Sequence, residues 1–153
     1  MYTTIVRQRT RAPRATVYRA CLDPSAVSVW MVPDGMRSEV HAWHAVEGGE
    51  LRISLTYESS TEAGKTHGST DTFRGRFVRL VPDQLIIQTV EFETASQAMK
   101  GEMKITISLS DLPEGGTEIE YRHEGVPDGI SPSDNELGAR MSLAKLAALA
   151  ERA

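Results

Sequence analysis

The segment that most constrains the fold is the last stretch of the chain, residues 133–152, which has the pattern of one long amphipathic helix. Its small and apolar side chains gather on one side, namely Ala139, Ser142, Leu143, Leu146, Leu149 and Ala150. Ser133 and Glu136 have the spacing of a capping box, which predicts that the helix begins there. A helix of this kind has to bury its apolar side against another layer.

The segments ahead of this helix alternate apolar and polar residues with period two, as strands with one buried face do. The residues assigned to inner faces in the clearest segments are Leu51, Ile53, Leu55, Tyr57, Met103, Ile105, Ile107, Leu109, Ile119, Tyr121 and His123. Residues 3–10, 38–46, 70–81 and 85–93 are further predicted strands. In residues 70–81 the inner face stays open, because Phe73 and Phe77 oppose Val78 and Leu80.

Two short helices are predicted after the first strand, over residues 15–22 and from Asp23-Pro24 to about Met31. The order is therefore one strand, two short helices, six strands and the long helix. Tight turns at Gly48-Gly49 and Gly115-Gly116 favour antiparallel pairing. We expect an α+β fold in one domain over residues 1–153, with a curved antiparallel sheet of about seven strands around the last helix. Such a sheet under a helix encloses a pocket.

Composition excludes several classes of function. The net charge of −4 gives no electrostatic reason to expect nucleic acid. No apolar run approaches the roughly 20 residues of a membrane span, and the first residues lack the pattern of a signal peptide. Cys21 is the single cysteine and has no partner for an internal disulfide. We expect a cytoplasmic protein.

No motif for a metal or a cofactor stands out. His41 and His44 are three apart on a predicted strand and point to opposite faces, while His67 falls in a polar loop over residues 59–68. Cys21 lies on an apolar helix face, which favours a buried structural thiol. No nucleophile elbow, phosphate loop or dinucleotide fingerprint is present in the sequence. We expect neither a metal nor a cofactor.

Tyr121 and His123 are the residues with most chemical potential, since both should face the pocket. An imidazole and a phenol beside apolar walls can orient a ligand or move a proton. The alternative is a histidine whose ring is satisfied by a backbone carbonyl. His44 joins them if its strand alternates regularly, and Glu91 is the one plausible carboxylate partner.

The predicted pocket draws on the second helix, the inner faces of the strands and the last helix. Its residues are Trp30, His44, Ile53, Leu55, Tyr57, Phe73, Phe77, Met103, Ile105, Tyr121, His123, Ala139, Ser142, Leu143 and Leu146. Trp43 falls on the face opposite Val40 and Ala42, so it is either exposed or part of an interface. A homodimer is therefore one alternative for the assembly.

Several local motifs occur in a recognisable order. They are Arg11-Ala12-Pro13, Val17-Tyr18-Arg19-Ala20, Asp23-Pro24, Trp30, Gly48-Gly49 with Leu51, Gly75-Arg76-Phe77, Pro82-Asp83-Gln84-Leu85, Gly116-Thr117, His123-Glu124-Gly125-Val126-Pro127, Gly138, Ser142-Leu143 and Leu146. Over nearly the whole chain this order resembles the helix-grip, START-like superfamily, also called SRPBCC. Within it, the chain is similar to the branch named for the activator of the 90-kilodalton heat-shock-protein ATPase.

The resemblance implies a helix-grip fold and leaves three functions open. Relatives in the superfamily bind lipids, steroids or hormones, which implies a binder of a small hydrophobic molecule such as a lipid, polyketide or aromatic metabolite. Others cyclise polyketides, which implies a cyclase- or dehydratase-like enzyme with an acid–base residue in the cavity. The branch name implies a chaperone-interacting stress-response protein, although characterised activators carry a further domain for which this chain has no room.

Two positions depart from the family pattern. His44 stands where the family commonly has an acidic residue, and Ala139 stands where it commonly has tryptophan. Because Ala139 shares a helix side with Leu143 and Leu146, losing an indole there leaves space. We expect a roomier cavity at that end, or a methionine or tryptophan from elsewhere that fills it.

Overall fold

A computed structural model describes residues 1–58 and 70–153. Its elements are β1 (Tyr2–Thr10), α1 (Arg14–Leu22), α2 (Pro24–Trp30), β2 (Met36–Trp43), β3 (Glu50–Tyr57), β4 (Thr70–Val81), β5 (Leu85–Phe92), β6 (Met103–Asp111), β7 (Thr117–Val126) and α3 (Pro132–Arg152). The predicted order of elements is confirmed. The predicted polar loop over residues 59–68, with His67, lies outside the described residues.

The seven strands form one antiparallel sheet in the order β1-β7-β6-β5-β4-β3-β2. Strands β2 to β7 each pair with the next strand in sequence, as antiparallel neighbours commonly do. Strand β1 instead pairs with β7 at the far edge, so α1 and α2 carry the chain across from one edge to the other.

Asp23 caps α2 as predicted, because its Oδ1 accepts a hydrogen bond from the backbone N–H of Ser25 at 3.0 Å.

Only the C-terminal half of α3 packs tightly on the sheet. Its buried residues are Leu143, Leu146, Ala147 and Ala150, and the helix contacts β1, α1 and α2. The Glu151 carboxylate accepts hydrogen bonds from the Thr10 hydroxyl and the Arg11 backbone N–H, each at 2.9 Å. These bonds hold the end of α3 against the end of β1, and the N-terminal half extends beyond this anchored region.

The start of α3 differs from the prediction. Ser131, not Ser133, caps the helix, and its hydroxyl accepts from the Asp134 backbone N–H at 3.5 Å. Pro132 occupies the first helical turn, where its fixed φ suits the helix and its missing N–H is not needed. The helix therefore begins earlier, and the predicted capping box of Ser133 with Glu136 is wrong.

A β-bulge in β2 reverses the predicted facing of Trp43. The pairing with β3 shifts between Val40 and Ala42, so the residues after the shift change face. Trp43 turns inward, packs edge-on against Phe77 with 5.1 Å between ring centroids, and donates from Nε1 to the Leu22 carbonyl at 2.7 Å. The prediction of an exposed Trp43 is wrong, and the homodimer alternative loses the observation on which it rested.

A second bulge settles which face of β4 is buried. The pairing with β5 shifts between Phe77 and Arg79. Phe73 and Phe77 face the core, Val78 is 51% exposed, and Leu80 returns to the core side because of the extra residue.

Among the helices of the described residues, none is long and apolar enough to cross a membrane.

Candidate ligand-binding cavity

A cavity of about 540 Å³ lies between the N-terminal half of α3 and the inner face of the sheet. Strands β3 to β7, the end of α2 with the turn after it, and the segment leading into α3 all contribute to its wall. The wall is mainly apolar and aromatic. Exposed residues, among them Asp34, Ser131, Asp134 and Leu137, mark the end that opens to solvent.

Small side chains on α3 explain why there is space under this half of the helix. Gly138, Ala139 and Ser142 line the cavity, and none of them is long enough to reach the sheet. Large apolar side chains resume at Leu143, where close packing of α3 also begins. Met31 and Met141 also line the cavity, and the space beneath this half of the helix remains open.

The structure brings most of the predicted pocket residues together. Trp30, Leu55, Tyr57, Phe73, Met103, Ile105, Tyr121, His123, Ala139, Ser142 and Leu143 line the cavity. Ile53, Phe77 and Leu146 do not, because each is fully buried in the core. His44 is exposed beyond the end of β2, since that strand ends at Trp43 after its bulge.

Sequence reasoning missed several residues of the wall, most notably Asp71, Gln88 and Asn135. The spacing of each residue in the sequence nevertheless indicates that it faces inward. Asp71 is two residues before Phe73 on one strand, and Gln88 alternates with Ile86 and Val90 on another, so period two places both inward. Asn135 lies four residues before Ala139, on the same side of α3. They were not predicted because they are polar, whereas the predicted pocket was assembled mainly from apolar and aromatic inner faces.

His123 is a neutral imidazole in this wall. It is 7% exposed, and its Nε2 lies 3.1 Å from the sulfur of Met103. Burial lowers the pKa of His123 from 6.5 to about 4, and the side chain of Asn135 opposes this shift only in part. The predicted alternative of a backbone carbonyl partner does not apply, since the ring nitrogen meets a thioether.

Three other polar groups of the wall lack partners within residues 1–58 and 70–153. The Tyr121 hydroxyl, whose pKa is raised by burial, forms no hydrogen bond with them, although its ring lies edge-on to His123 with centroids 6.0 Å apart. The Gln88 amide is also without one, and Gln88 is 3% exposed. Asn135 Oδ1 is buried and has no hydrogen-bond partner.

The charged residues of the wall are acidic. Asp34, Asp71 and Asp134 line the cavity, while its described wall contains no lysine or arginine. Lys145 pairs with Asp34 at 2.9 Å near the mouth. Glu91, the predicted carboxylate partner for His123, does not line the cavity, because it is only partly buried and pairs with Arg74 at 3.3 Å.

Other candidate chemical groups are inert or dispersed. Cys21 is 1% exposed, and burial raises the pKa of its thiol to about 12, as predicted for a structural residue. Within the described part of the chain, no three His, Cys, Asp or Glu side chains gather in a way that could hold a metal ion.

Residues 11–151 match the family model described as activator of Hsp90 ATPase homolog 1-like protein. The chain belongs to this family. A search of curated proteins gives no match for this activator-homologue-like chain.

Solved structures agree with this assignment. A protein from Chromobacterium violaceum is 34% identical, with a TM-score of 0.87 over 98% of this chain and 97% of that one. Proteins from Rhodobacter sphaeroides (18% identity, TM-score 0.77, 97% and 91% covered) and Arthrobacter aurescens (13%, 0.79, 99% and 87%) share the fold. Their names state no ligand, reaction or partner, so they support the helix-grip fold of this activator-homologue-like protein and leave the use of its cavity open.

Proposed function

We propose that this protein binds a small hydrophobic molecule in the cavity beneath α3. The observation that carries the proposal is a cavity of about 540 Å³ with a mainly apolar wall and a few inward polar groups. Sites for small molecules in proteins usually have this composition and a volume of roughly 300–1,000 Å³. Ligand binding also accounts for the small residues on α3, which leave space where larger ones would complete the core.

An acid–base enzyme is less well supported by the same residues. A general acid or base works best when its pKa lies near the working pH. Burial lowers the pKa of His123 to about 4 and raises that of Tyr121, so both stay neutral at pH 7 and exchange protons poorly. The family name keeps a chaperone partner as an alternative, whereas the cavity is a feature of this chain itself.

A matched pair of tryptophan variants tests the proposal. Ala139→Trp places an indole in the cavity, while Ala144→Trp places the same side chain on the exposed side of α3. Titration with the uncharged dye N-phenyl-1-naphthylamine should show saturable binding to the natural protein and to Ala144→Trp. Ala139→Trp should weaken binding at least about tenfold, because an indole takes up much of the space.

Two results would contradict this proposal. One is equal dye binding by Ala139→Trp and Ala144→Trp proteins that both give the natural circular dichroism spectrum. The other is dye binding that never saturates, which indicates non-specific contact with the surface. Mass spectrometry of the protein purified under native conditions then identifies any molecule that the cavity retains.

A further inference from the structure

The Gln88 amide is a buried polar group that the sheet cannot satisfy. Gln88 lies on β5, and its neighbours in the same row are Phe77 on β4 and Ile105 on β6. Both neighbours are apolar, so neither residue paired with Gln88 in this row offers a hydrogen-bonding side chain. An amide has two donor hydrogens and an acceptor oxygen. Because Gln88 lines the cavity, the contents of the cavity are what can pair with it.

Tyr121 repeats this arrangement on β7. Its neighbours in the row are Val6 on β1 and Ile107 on β6, and both are apolar. Its hydroxyl has no hydrogen bond to the described residues, although buried hydroxyls nearly always have one. Gln88 and Tyr121 are therefore two polar groups of the wall whose partners in their sheet rows are apolar. Asn135 on α3 adds a buried acceptor oxygen near His123.

The charge of the wall discriminates against an anionic ligand. Asp134 contributes a carboxylate near the mouth, Asp34 is already paired with Lys145, and the described wall contains no lysine or arginine. The N-terminus of α3 has a partial positive charge of about half a unit, but Asp134 in the first turn carries a full negative charge. A carboxylate placed in this cavity would lose its water without gaining a cation from the described residues of the wall.

From these placements we infer that the ligand is an uncharged, mainly apolar molecule with a hydroxyl or carbonyl oxygen, which Gln88 and Tyr121 bind. The inference rests on the proposed ligand-binding function and adds the chemical class of the ligand. The apolar wall holds the skeleton, the amide and the phenol select the oxygen, and the described wall offers no cation to the corresponding carboxylate.

Three fluorescent probes with one skeleton test this selection, namely pyrene, 1-hydroxypyrene and pyrene-1-carboxylate. We expect 1-hydroxypyrene to bind about tenfold more tightly than pyrene at pH 7, as one hydrogen bond in a buried site allows. Pyrene-1-carboxylate should bind more weakly than pyrene. Fluorescence titration and calorimetry of the full chain measure all three affinities.

Nearly isosteric substitutions test whether Gln88 and Tyr121 cause the preference for 1-hydroxypyrene. In Gln88→Met and Tyr121→Phe proteins, the affinity for pyrene should be unchanged, while the advantage of 1-hydroxypyrene falls. In the double variant this advantage should be lost. Gln84→Met makes the same substitution at an exposed residue and should keep the full advantage. Thermal melting shows whether each variant is folded.

The outcomes separate this inference from the proposed function. If pyrene binds but 1-hydroxypyrene has no advantage, or if the carboxylate binds best, the inference is wrong and the binding function remains. The inference is also wrong if the double variant retains the advantage. If none of the three probes binds, the proposed function fails and the inference fails with it.

Discussion

Burial of single polar side chains is the feature of this protein with the clearest thermodynamic consequence. His123 is almost fully buried beside a methionine sulfur, an environment that disfavours a charged imidazolium. The unfolded chain leaves the same ring in water and binds a proton readily. The folded protein therefore loses stability wherever the unfolded state binds the proton and the folded state does not.

Acid should destabilise the protein through this residue. The pKa of His123 falls from 6.5 to about 4 on folding, so its contribution is complete above pH 6.5 and is lost as the pH falls toward 4. Between pH 7 and pH 4.5 the loss should be on the order of 2.5 kcal/mol. Urea unfolding at the two pH values measures it.

His123→Gln should remove this part of the pH dependence, because glutamine does not titrate. His44→Gln, which changes an exposed histidine, is the control and should retain it, together with any loss from carboxylates. Identical pH profiles for the two variants would contradict the assignment to His123.

At the scale of elements, α3 combines two functions along one helix. Its C-terminal half is part of the core, while its N-terminal half covers the cavity with small residues. The half over the cavity has less apolar contact with the sheet, so its end depends more on capping. Ser131 supplies that cap, and Pro132 follows it in the first helical turn.

Replacement of the cap tests where α3 begins. Ser131→Ala should lower the free energy of unfolding by about 0.5–1 kcal/mol, the lower part of the usual range, because the bond to Asp134 is long at 3.5 Å. Ser133→Ala removes the serine of the predicted capping box and should cost less. Denaturant unfolding decides between them, and a larger loss for Ser133→Ala would restore the predicted start.

At the scale of the whole molecule, the cavity makes stability depend on its contents. A ligand that binds the folded chain alone stabilises it by mass action, and a cavity under one half of α3 exists only when the chain is folded. Occupancy of the cavity should therefore raise the free energy of unfolding of the whole chain.

Ligand should raise the melting temperature in a concentration-dependent way. At a free concentration of 100 times Kd, the gain is about 2.7 kcal/mol, which corresponds to roughly 5–10 °C for a chain of this length. Differential scanning fluorimetry with 1-hydroxypyrene measures the shift. Ala139→Trp should show a much smaller shift than Ala144→Trp, and equal shifts would mean that the probe binds elsewhere.

The sequence alone determined the elements, their order and most inner faces, because periodicity and turn residues are local properties of the chain. Leu55, Met103, Tyr121 and Leu143 were placed toward the cavity on that basis, and the structure places them in its wall. The family assignment also followed from local motifs, since their order along the chain is itself a sequence property.

Tertiary structure decided the features that depend on one extra residue in a strand or on contacts between segments far apart in sequence. A bulge before Ala42 turned Trp43 inward, and the end of β2 left His44 outside, reversals that alternation cannot reveal. Leu146 joined the core rather than the cavity because it lies on the closely packed C-terminal half of α3, and Phe77 did so in contact with the inward-turned Trp43. Which apolar faces touch, and where they stay apart, depends on packing between elements far apart in sequence.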